Sequence, residues 1–336
     1  MKVIRIAVLA TAGTIAAEAG TAAEVLCYRD SRITAAELLE PLRPHLPAHV
    51  ELTPVQLQRE GSENFTPETW LALAHAMLDL EATGEVDGFV LLQGTDTLEE
   101  TAYFLQLALP FDKPVVLAGA MRPASALSAD GPLNLLRAVQ LAASQAGREG
   151  LGGLGVLVLA NERIFAAREV TKTHASSIDS LGSPEFGCLG YLNDDRPRLH
   201  RRPIRAARLP APFDVARLGR LPKVDIAYAF AGAGAEAIHA FVAAGAQGIV
   251  HAGTGNGSIS RLHKDAYRAA IAQGVAVVRS SRTGGGIVFR NGAVDDDQLG
   301  SVSADSLNPQ KARVLLTLGL TITRDAAALQ QLFDRY

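Results

Sequence analysis

The chain has little cysteine: two residues in 336, Cys27 and Cys188, far apart and forming no CxxC pair. A chain of this size needs no covalent staple, so no disulfide is expected. It has no apolar run near the roughly 20 residues of a membrane helix. It has no excess of one charge. The formal net charge of −3 argues against a nucleic-acid surface as its main business. The eight histidines form no HExxH. His45 and His49 have helical spacing, but Pro44 and Pro47 interrupt it, so they read as surface residues and no metal site is expected. There is no GxSxG elbow, and the TAGT turn after the first strand lacks the GxGxxG and GxxxxGK[ST] patterns of phosphate-binding turns. The GTGNGS run at Gly253–Ser258 looks like a phosphate loop but lacks the lysine and the full dinucleotide fingerprint. No internal repeat or low-complexity segment is present.

What is there describes a globular protein. Apolar residues make up 48% and charged residues 20%, enough to bury substantial cores. The length favours two domains. The start, MKVIRIAVLATAGTIAA, resembles a signal peptide superficially. Val3–Ala10 is nevertheless the length of a buried strand and runs straight into a glycine-containing turn, so the segment reads as structure. A cytoplasmic location follows as the expectation, with the periplasm as the alternative should a longer precursor be trimmed.

Short β-rich runs alternate with helical patterns. The runs Val3–Ala10, Val50–Val55, Gly88–Leu92, Pro114–Ala118 and Leu154–Ala160 are separated by helix candidates Ala35–Leu42, Pro67–Leu80, Leu98–Leu109 and Pro132–Ala146. Thr66 before Pro67 fits a cap followed by a pre-set φ. Thr97 is expected to cap the helix starting at Leu98, with Glu99 and Glu100 favoured near its positive end. Alternation of this kind predicts an α/β fold with a mostly parallel sheet. From Arg196 to Pro222 the chain turns rich in Arg and Pro, which reads as a solvated linker. Alternation then resumes over Val224–Phe230, Ala235–Ala244, Gly248–His251, Lys264–Ala272, Val275–Arg279 and Pro309–Leu320. The reading is a larger N-terminal α/β domain (1–198), a linker (199–221) and a smaller, Rossmann-like C-terminal α/β domain (222–336).

Ligands of such sheets collect beyond the carboxyl ends of the strands, and four distinctive segments fall there. They are Thr11-Ala12-Gly13-Thr14-Ile15, Gln93-Gly94-Thr95-Asp96-Thr97, Gly119 to Pro123 running on to Pro132, and Val170-Thr171-Lys172-Thr173. Singly, each is ordinary turn chemistry. Together they bring threonines, Asp96 and Lys172 to one sheet end. A threonine hydroxyl is a weak nucleophile and needs a neighbour to take its proton. Thr95, Asp96 and Lys172 could form such a relay. A proton acceptor must be neutral, whereas a carboxylate beside an ammonium favours the charged form. The residues therefore leave open whether Lys172 accepts a proton or only orients and polarises Thr95.

These segments, in this order, resemble the bacterial-type L-asparaginase family, including its glutaminase-asparaginase members. LATAGTIAA and LLQGTDTLEETAYFL match its two signatures. DKPVVLAGAMRPASALSADGPLNL, VTKTHAS, LPKVDI, AGTGNGS, VVRSSR and SLNPQKARVLL match further blocks, over essentially the whole chain. The resemblance implies hydrolysis of L-asparagine to L-aspartate and ammonia through an acyl-enzyme on Thr14, without a cofactor or metal. Tyr28 would hydrogen-bond Thr14, and Thr95, Asp96 and Lys172 would form the second triad. Ser62 and Glu63 would hold the α-carboxylate and α-amino ends of the substrate together with Asp96. The Ala120 carbonyl would bind the leaving amide, and backbone N–H groups near Thr14 and Thr95 would serve as the oxyanion hole. The family also implies a homotetramer built as a dimer of close dimers, with Ser258 reaching a neighbour's site.

A zwitterionic substrate suits these residues. Asp96 and Glu63 accept from its ammonium; Ser62 and backbone amides donate to its carboxylate. Three positions depart from the family pattern, and a fourth bears on substrate choice. Ala12 stands in TAGT where TGGT is usual, so position 12 should not need positive φ. Gln93 replaces the usual His before GTDT, and an altered outer layer of the site is expected. Ala293 stands where the neighbouring subunit usually supplies a glutamate, with Asp295 as the residue able to compensate. Glu63 is the choice of members that also accept L-glutamine. Two other readings remain: a catalytically weak amino-acid-binding or regulatory protein on the same fold, motivated by Gln93 and Ala293, and the amidase component of a tRNA-dependent amidotransferase. The latter carries an extra N-terminal domain for which this chain has no room.

Overall fold

Ile4–Ala10 forms β1, and its last five residues are all buried. A strand apolar on both faces belongs in the interior of a parallel sheet with helices on either side. The computed structural model places it there, describing residues 2–11, 13–29, 33–57, 59–146, 153–203 and 213–336. These fall into two units, Met1–Arg217 and Leu218–Tyr336.

In the first unit β1 is followed by a ribbon of β2 (Glu18–Ala19) and β3 (Tyr28–Arg29), helix α1 (Ala35–Leu39), β4 (Val50–Gln56), α2 (Pro67–Ala82) and β5 (Gly88–Leu92). Then come α3 (Leu98–Ala108), β6 (Val115–Ala118), α4 (Gly131–Ala146), β7 (Val156–Ala160) and β8 (Arg163–Ala166). A second ribbon of β9 (Thr171–Lys172) and β10 (Leu181–Gly182) precedes β11 (Gly190–Asn193) and β12 (Arg196–Leu199). The main sheet has the order β12-β11-β8-β7-β6-β5-β1-β4. Strands β4, β1, β5, β6 and β7 run parallel, whereas β8, β11 and β12 join antiparallel. Ile6, Val8, Ala10, Val90, Leu92 and Val116 share one face and pack with Leu39 of α1 and Leu135 and Val139 of α4. The alternate residues Leu9, Phe89 and Leu91 point the other way and are equally buried. On that side Trp70 of α2 stacks on Phe104 of α3 at 5.4 Å and donates its indole N–H to Thr101.

Strand β1 pairs with β4 on one side and β5 on the other. The chain thus leaves β1 in one direction and returns on the opposite side. That reversal opens a crevice at the carboxyl ends of β1 and β5, the place where doubly wound sheets hold ligands.

Several expectations change in detail. Thr66 caps α2 in a full capping box with Thr69. Thr97 does not cap α3; its hydroxyl makes no bond to the helix and is used elsewhere, as described below. The helix expected over Ala35–Leu42 ends at Leu39 and continues as a 3-10 turn through His45, because Pro41 and Pro44 remove helical N–H donors. The supposed linker begins too early: Arg196–Leu199 is the outermost strand of the sheet. Its proline, like Pro54 in β4 at the opposite edge, is tolerated because an edge strand leaves one side of its backbone unpaired. Residues 204–212 of that stretch, and Ala12, lie outside the described residues. Further on, His75 Nε2 lies 2.9 Å from the carbonyl of Val215, joining a 3-10 turn at Val215–Arg217 to α2. Cys27 is exposed and Cys188 half-buried, both as free thiols. Among the described residues no helix is long and apolar enough to cross a membrane.

The second unit contains β13 (Val224–Tyr228), α5 (Glu236–Ala243), β14 (Gly248–Gly253), α6 (Arg261–Ala272) and β15 (Ala276–Ser281). It ends with α7 (Asp296–Leu299), β16 (Val302–Ser303), α8 (Pro309–Gly319) and α9 (Ala326–Arg335). Its four strands pair in parallel in sequence order. Two buried polar groups organise its loops. Arg279 is fully buried and grips Asp296 through two bonds of 2.6 Å. It also donates to the carbonyls of Asn256, Gly257 and Phe289. The GTGNGS turn is therefore held by an internal arginine. Removing one partner would strand a buried charge at a cost of about 3–5 kcal/mol.

His251, also fully buried, lies 2.9 Å from the Tyr267 hydroxyl and 3.0 Å from the Ser258 carbonyl. Burial pushes its imidazole down to about 4, against the opposing pull of the Ser258 carbonyl. The unfolded chain takes up that proton near the ordinary value of 6.5. The stability contributed is therefore complete above 6.5 and lost as pH falls towards 4, by about 2 kcal/mol at pH 5. Urea melts of the whole protein are expected to show the second unit's midpoint falling between pH 7 and pH 5. In His251→Gln that fall should shrink; an unchanged fall would assign the sensitivity to another group.

Candidate functional site

The crevice at the ends of β1 and β5 holds a cavity of about 290 Å³ lined by Thr14, Tyr28, Ser62, Glu63, Thr95, Asp96, Met121 and Lys172 among others. Each arrives for a local reason. After β1, Thr11 donates its backbone N–H and its hydroxyl to the Leu92 carbonyl, clamping the first turn to the second. Gly13 then takes φ 138°, and a Cβ there would lie 2.6 Å from the Gly94 nitrogen. Only glycine satisfies both demands. Its turn delivers Thr14 as the first residue of a 3-10 turn, buried with 9% of its surface exposed.

The Thr14 hydroxyl donates to the Tyr28 hydroxyl at 2.9 Å. Tyr28 opens β3, opposite Ala19 in the first ribbon. That segment is laced to the loop after β6: Ala124 N–H donates to Ala17, Leu127 N–H to Ala22, and Ala19 N–H to the Ser125 hydroxyl.

Across the cavity Lys172 Nζ donates to Thr95 Oγ1 at 2.9 Å and to Asp96 Oδ1 at 2.5 Å. The lysine side chain is 14% exposed and the aspartate 61%, so the pair runs from the protein interior to solvent. Lys172 was expected directly beyond a strand of the main sheet. Instead β8 intervenes, and the lysine sits on the ribbon where it faces Leu181. The tight β7–β8 turn, with Asn161 and Glu162 both at positive φ, makes the detour possible. Asn161 then donates to the Ile178 carbonyl and ties the ribbon's loop back.

Thr95 has a second partner that sequence reasoning missed: its hydroxyl donates to the Met121 sulfur at 3.1 Å. Met121 is itself held by the Asp130 carboxylate, which accepts from the backbone N–H groups of Met121 and Arg122. With its hydrogen aimed at sulfur, Thr95 presents its lone pairs to the lysine. Nothing about a methionine in sequence announces such a role; the residue types that could are polar.

Of the other expected residues, Ser62 is buried and Glu63 exposed, both in a 3-10 turn on the cavity wall. Ala120 is buried beside Met121 and does not line the cavity. Ser258 belongs to the second unit, where it is exposed in the turn after β14. Ala293 is exposed. Asp295, considered as its substitute, already spends its carboxylate capping α7 at the Gln298 N–H. Gln93 is fully buried behind the site. Among the described residues no three His, Cys, Asp or Glu side chains converge as metal ligands would.

The arrangement offers a buried hydroxyl with a phenol beside it, a second hydroxyl joined to a lysine and carboxylate, and a polar end formed by Ser62, Glu63 and Asp96. The first N–H groups of the Thr14 turn lack carbonyl partners within that turn. Such a set can attack a carbonyl carbon, move protons and hold a small charged molecule.

Comparison with known proteins agrees. The model of the Asparaginase, N-terminal family matches residues 5–205, and that of the Glutaminase/Asparaginase C-terminal domain matches residues 223–333. A Haemophilus influenzae protein named "Probable L-asparaginase periplasmic" is 43% identical over 332 residues, 98% of this chain and 93% of that protein. A "Glutaminase-asparaginase" of Pseudomonas fluorescens biotype A is 39% identical, covering 100% of this chain and 91% of its own. The crystal structure of a probable cytoplasmic L-asparaginase from Campylobacter jejuni superposes with a TM-score of 0.92 at 42% identity, over 99% of this chain and 100% of the other.

Proposed function

The chain belongs to the asparaginase family, and on that premise we propose that it hydrolyses free L-asparagine to L-aspartate and ammonia, with L-glutamine as a second substrate. The observation that carries this reading is the opening of two threonine hydroxyls, each with its own polar partner, onto one small cavity.

In the proposed sequence Thr14 attacks the side-chain amide carbon and forms an ester. Its proton passes to the leaving nitrogen, which departs as ammonia; water then adds to the ester and releases aspartate. Tyr28 orients the Thr14 oxygen, as the 2.9 Å bond suggests. Thr95, braced by Met121 and Lys172, relays protons. Backbone N–H groups of the Thr14 and Thr95 turns stabilise the oxyanion. Ser62, Glu63 and Asp96 hold the α-end of the substrate; the Ala120 carbonyl, which the cavity does not reach, is given no part in receiving the leaving amide. Positioning supplies much of the rate, because the reacting groups are collected before the substrate arrives.

Support for L-glutamine comes from Glu63 and from the glutaminase-asparaginases among the relatives. Assembly as a homotetramer, with Ser258 reaching a neighbouring copy's site, rests on the family likeness. The test is steady-state ammonia release by the purified protein with L-asparagine and L-glutamine side by side. Turnover of L-asparagine at rates typical of enzymes supports the reading; binding of either amino acid without ammonia release overturns it.

A further inference from the structure

Behind the cavity runs a second chain of hydrogen bonds that the catalytic sequence leaves unused. Gln93 follows β5 and is fully buried. Its Nε2 donates to Thr97 Oγ1 at 3.4 Å, and Thr97 Oγ1 in turn donates to the Ser62 carbonyl at 2.8 Å. Ser62 is seated closely on Gly94, where a Cβ would lie 2.8 Å from the serine Oγ. The serine is thus pressed from below by a glycine and tied from the side by a threonine.

Two sacrifices accompany this chain. Thr97 occupies the N-cap position of α3, yet its hydroxyl makes no cap bond. A cap is worth having, and threonine is among the residues that supply one. In addition, Gln93 Oε1 is buried without a hydrogen-bond partner. An orphaned acceptor in the interior lowers stability. In the opposite amide orientation the glutamine oxygen would face the Thr97 oxygen, whose hydrogen is committed to the Ser62 carbonyl, and the bond to Thr97 would be lost. Both costs serve one end: a Thr97 hydroxyl that accepts on one side and donates to the Ser62 carbonyl on the other.

We propose that Gln93 and Thr97 are positioning residues for substrate recognition, holding the Ser62–Glu63 turn where it meets the α-carboxylate and α-ammonium of the amino acid. This rests on the substrate reading above. The pair touches neither the reacting amide nor Thr14 in the bonds described. It therefore acts on binding of the substrate's α-end rather than on the chemical step.

Three variants test it: Thr97→Val, which keeps the shape and removes the hydroxyl; Thr97→Ser, which keeps the hydroxyl; and Gln93→Met, which keeps the length and removes the orphan oxygen. Thr97→Val is expected to raise the KM for L-asparagine about tenfold while kcat changes by less than about twofold. Thr97→Ser should stay within about twofold of wild type in both. Gln93→Met should raise KM about threefold while its urea midpoint holds or rises, because the buried unpaired oxygen is gone. A merely structural role would lower the midpoint and would not separate KM from kcat.

Calorimetric titration with L-aspartate gives a readout independent of turnover, with the Kd expected to rise about tenfold in Thr97→Val. A wild type that binds aspartate but releases no ammonia would sink the enzymatic reading and leave this one standing on the Kd values. Wild-type KM and Kd in Thr97→Val overturn the proposal. So does a Gln93→Met protein that loses stability without a change in either constant. Should Thr97→Val fail to fold, Gln93→Met decides alone.

Discussion

Replacing Thr14 by alanine is expected to cut ammonia release from both L-asparagine and L-glutamine by about four orders of magnitude. The hydroxyl is the atom that would join the substrate, and no neighbour can substitute for it. Tyr28, its hydrogen-bond partner, carries a phenol on an exposed ribbon. Thr95 has its hydrogen pointed at Met121 and its oxygen engaged by Lys172. Alanine removes the methyl and hydroxyl of a side chain at the edge of a cavity, so little packing is lost and the fold should survive. Binding should survive as well, because the residues assigned to the α-end of the substrate are Ser62, Glu63 and Asp96. Calorimetry with L-aspartate alongside the ammonia assay separates the two properties. Near wild-type turnover in Thr14→Ala would remove this residue as nucleophile and shift attention to Thr95.

Lys172→Met should come second, with a loss of about a thousandfold in kcat, the scale on which a positioned proton-transfer group acts. The variant is chosen for shape. The lysine stem is largely covered, at 14% exposure of its side chain, and methionine fills most of the same path. Asp96 loses its partner but is 61% exposed, so water can take over and the fold should hold. Thr95 loses the donor at its oxygen and is left with only the Met121 contact. Single-turnover measurements should show slow formation of the ester or slow breakdown, with substrate binding little changed. Wild-type kinetics in this variant would show that Thr95 relays protons without the lysine, and the Thr95–Lys172–Asp96 bonds would then be architectural.

The two experiments address different halves of the cavity, and their sizes should not add. Residues acting as one unit give overlapping losses, so the double variant should sit near Thr14→Ala alone. A clear further drop would mean that Lys172 also supports a background reaction that does not use the threonine.

Periodicity made the parallel half of the first unit readable. Val90, Leu91 and Leu92 are apolar on both faces because helices cover both, and a run of that kind announces itself. Strands β8, β11 and β12 were not seen because they are four residues each and two of them alternate with exposed positions. So short an alternation is indistinguishable from loop composition. The Arg- and Pro-rich wording of β12 hid a sheet edge for the same reason: an edge strand obeys few of the constraints that mark a strand.

What the amino-acid sequence determined by itself was the inventory: the α/β alternation, the glycine turn before Thr14, and the threonines, carboxylates and lysine available for chemistry. Local patterns encode these, since each depends on neighbours within a few residues. The tertiary structure alone decided who meets whom. Lys172 reaches Thr95 across 77 positions of chain, by way of β8, which runs against the parallel strands. Met121 becomes a hydrogen-bond acceptor, and Thr97 gives up its helix cap to hold Ser62. Such choices are set by which strands lie side by side and in what register, and no short stretch of residues carries that information.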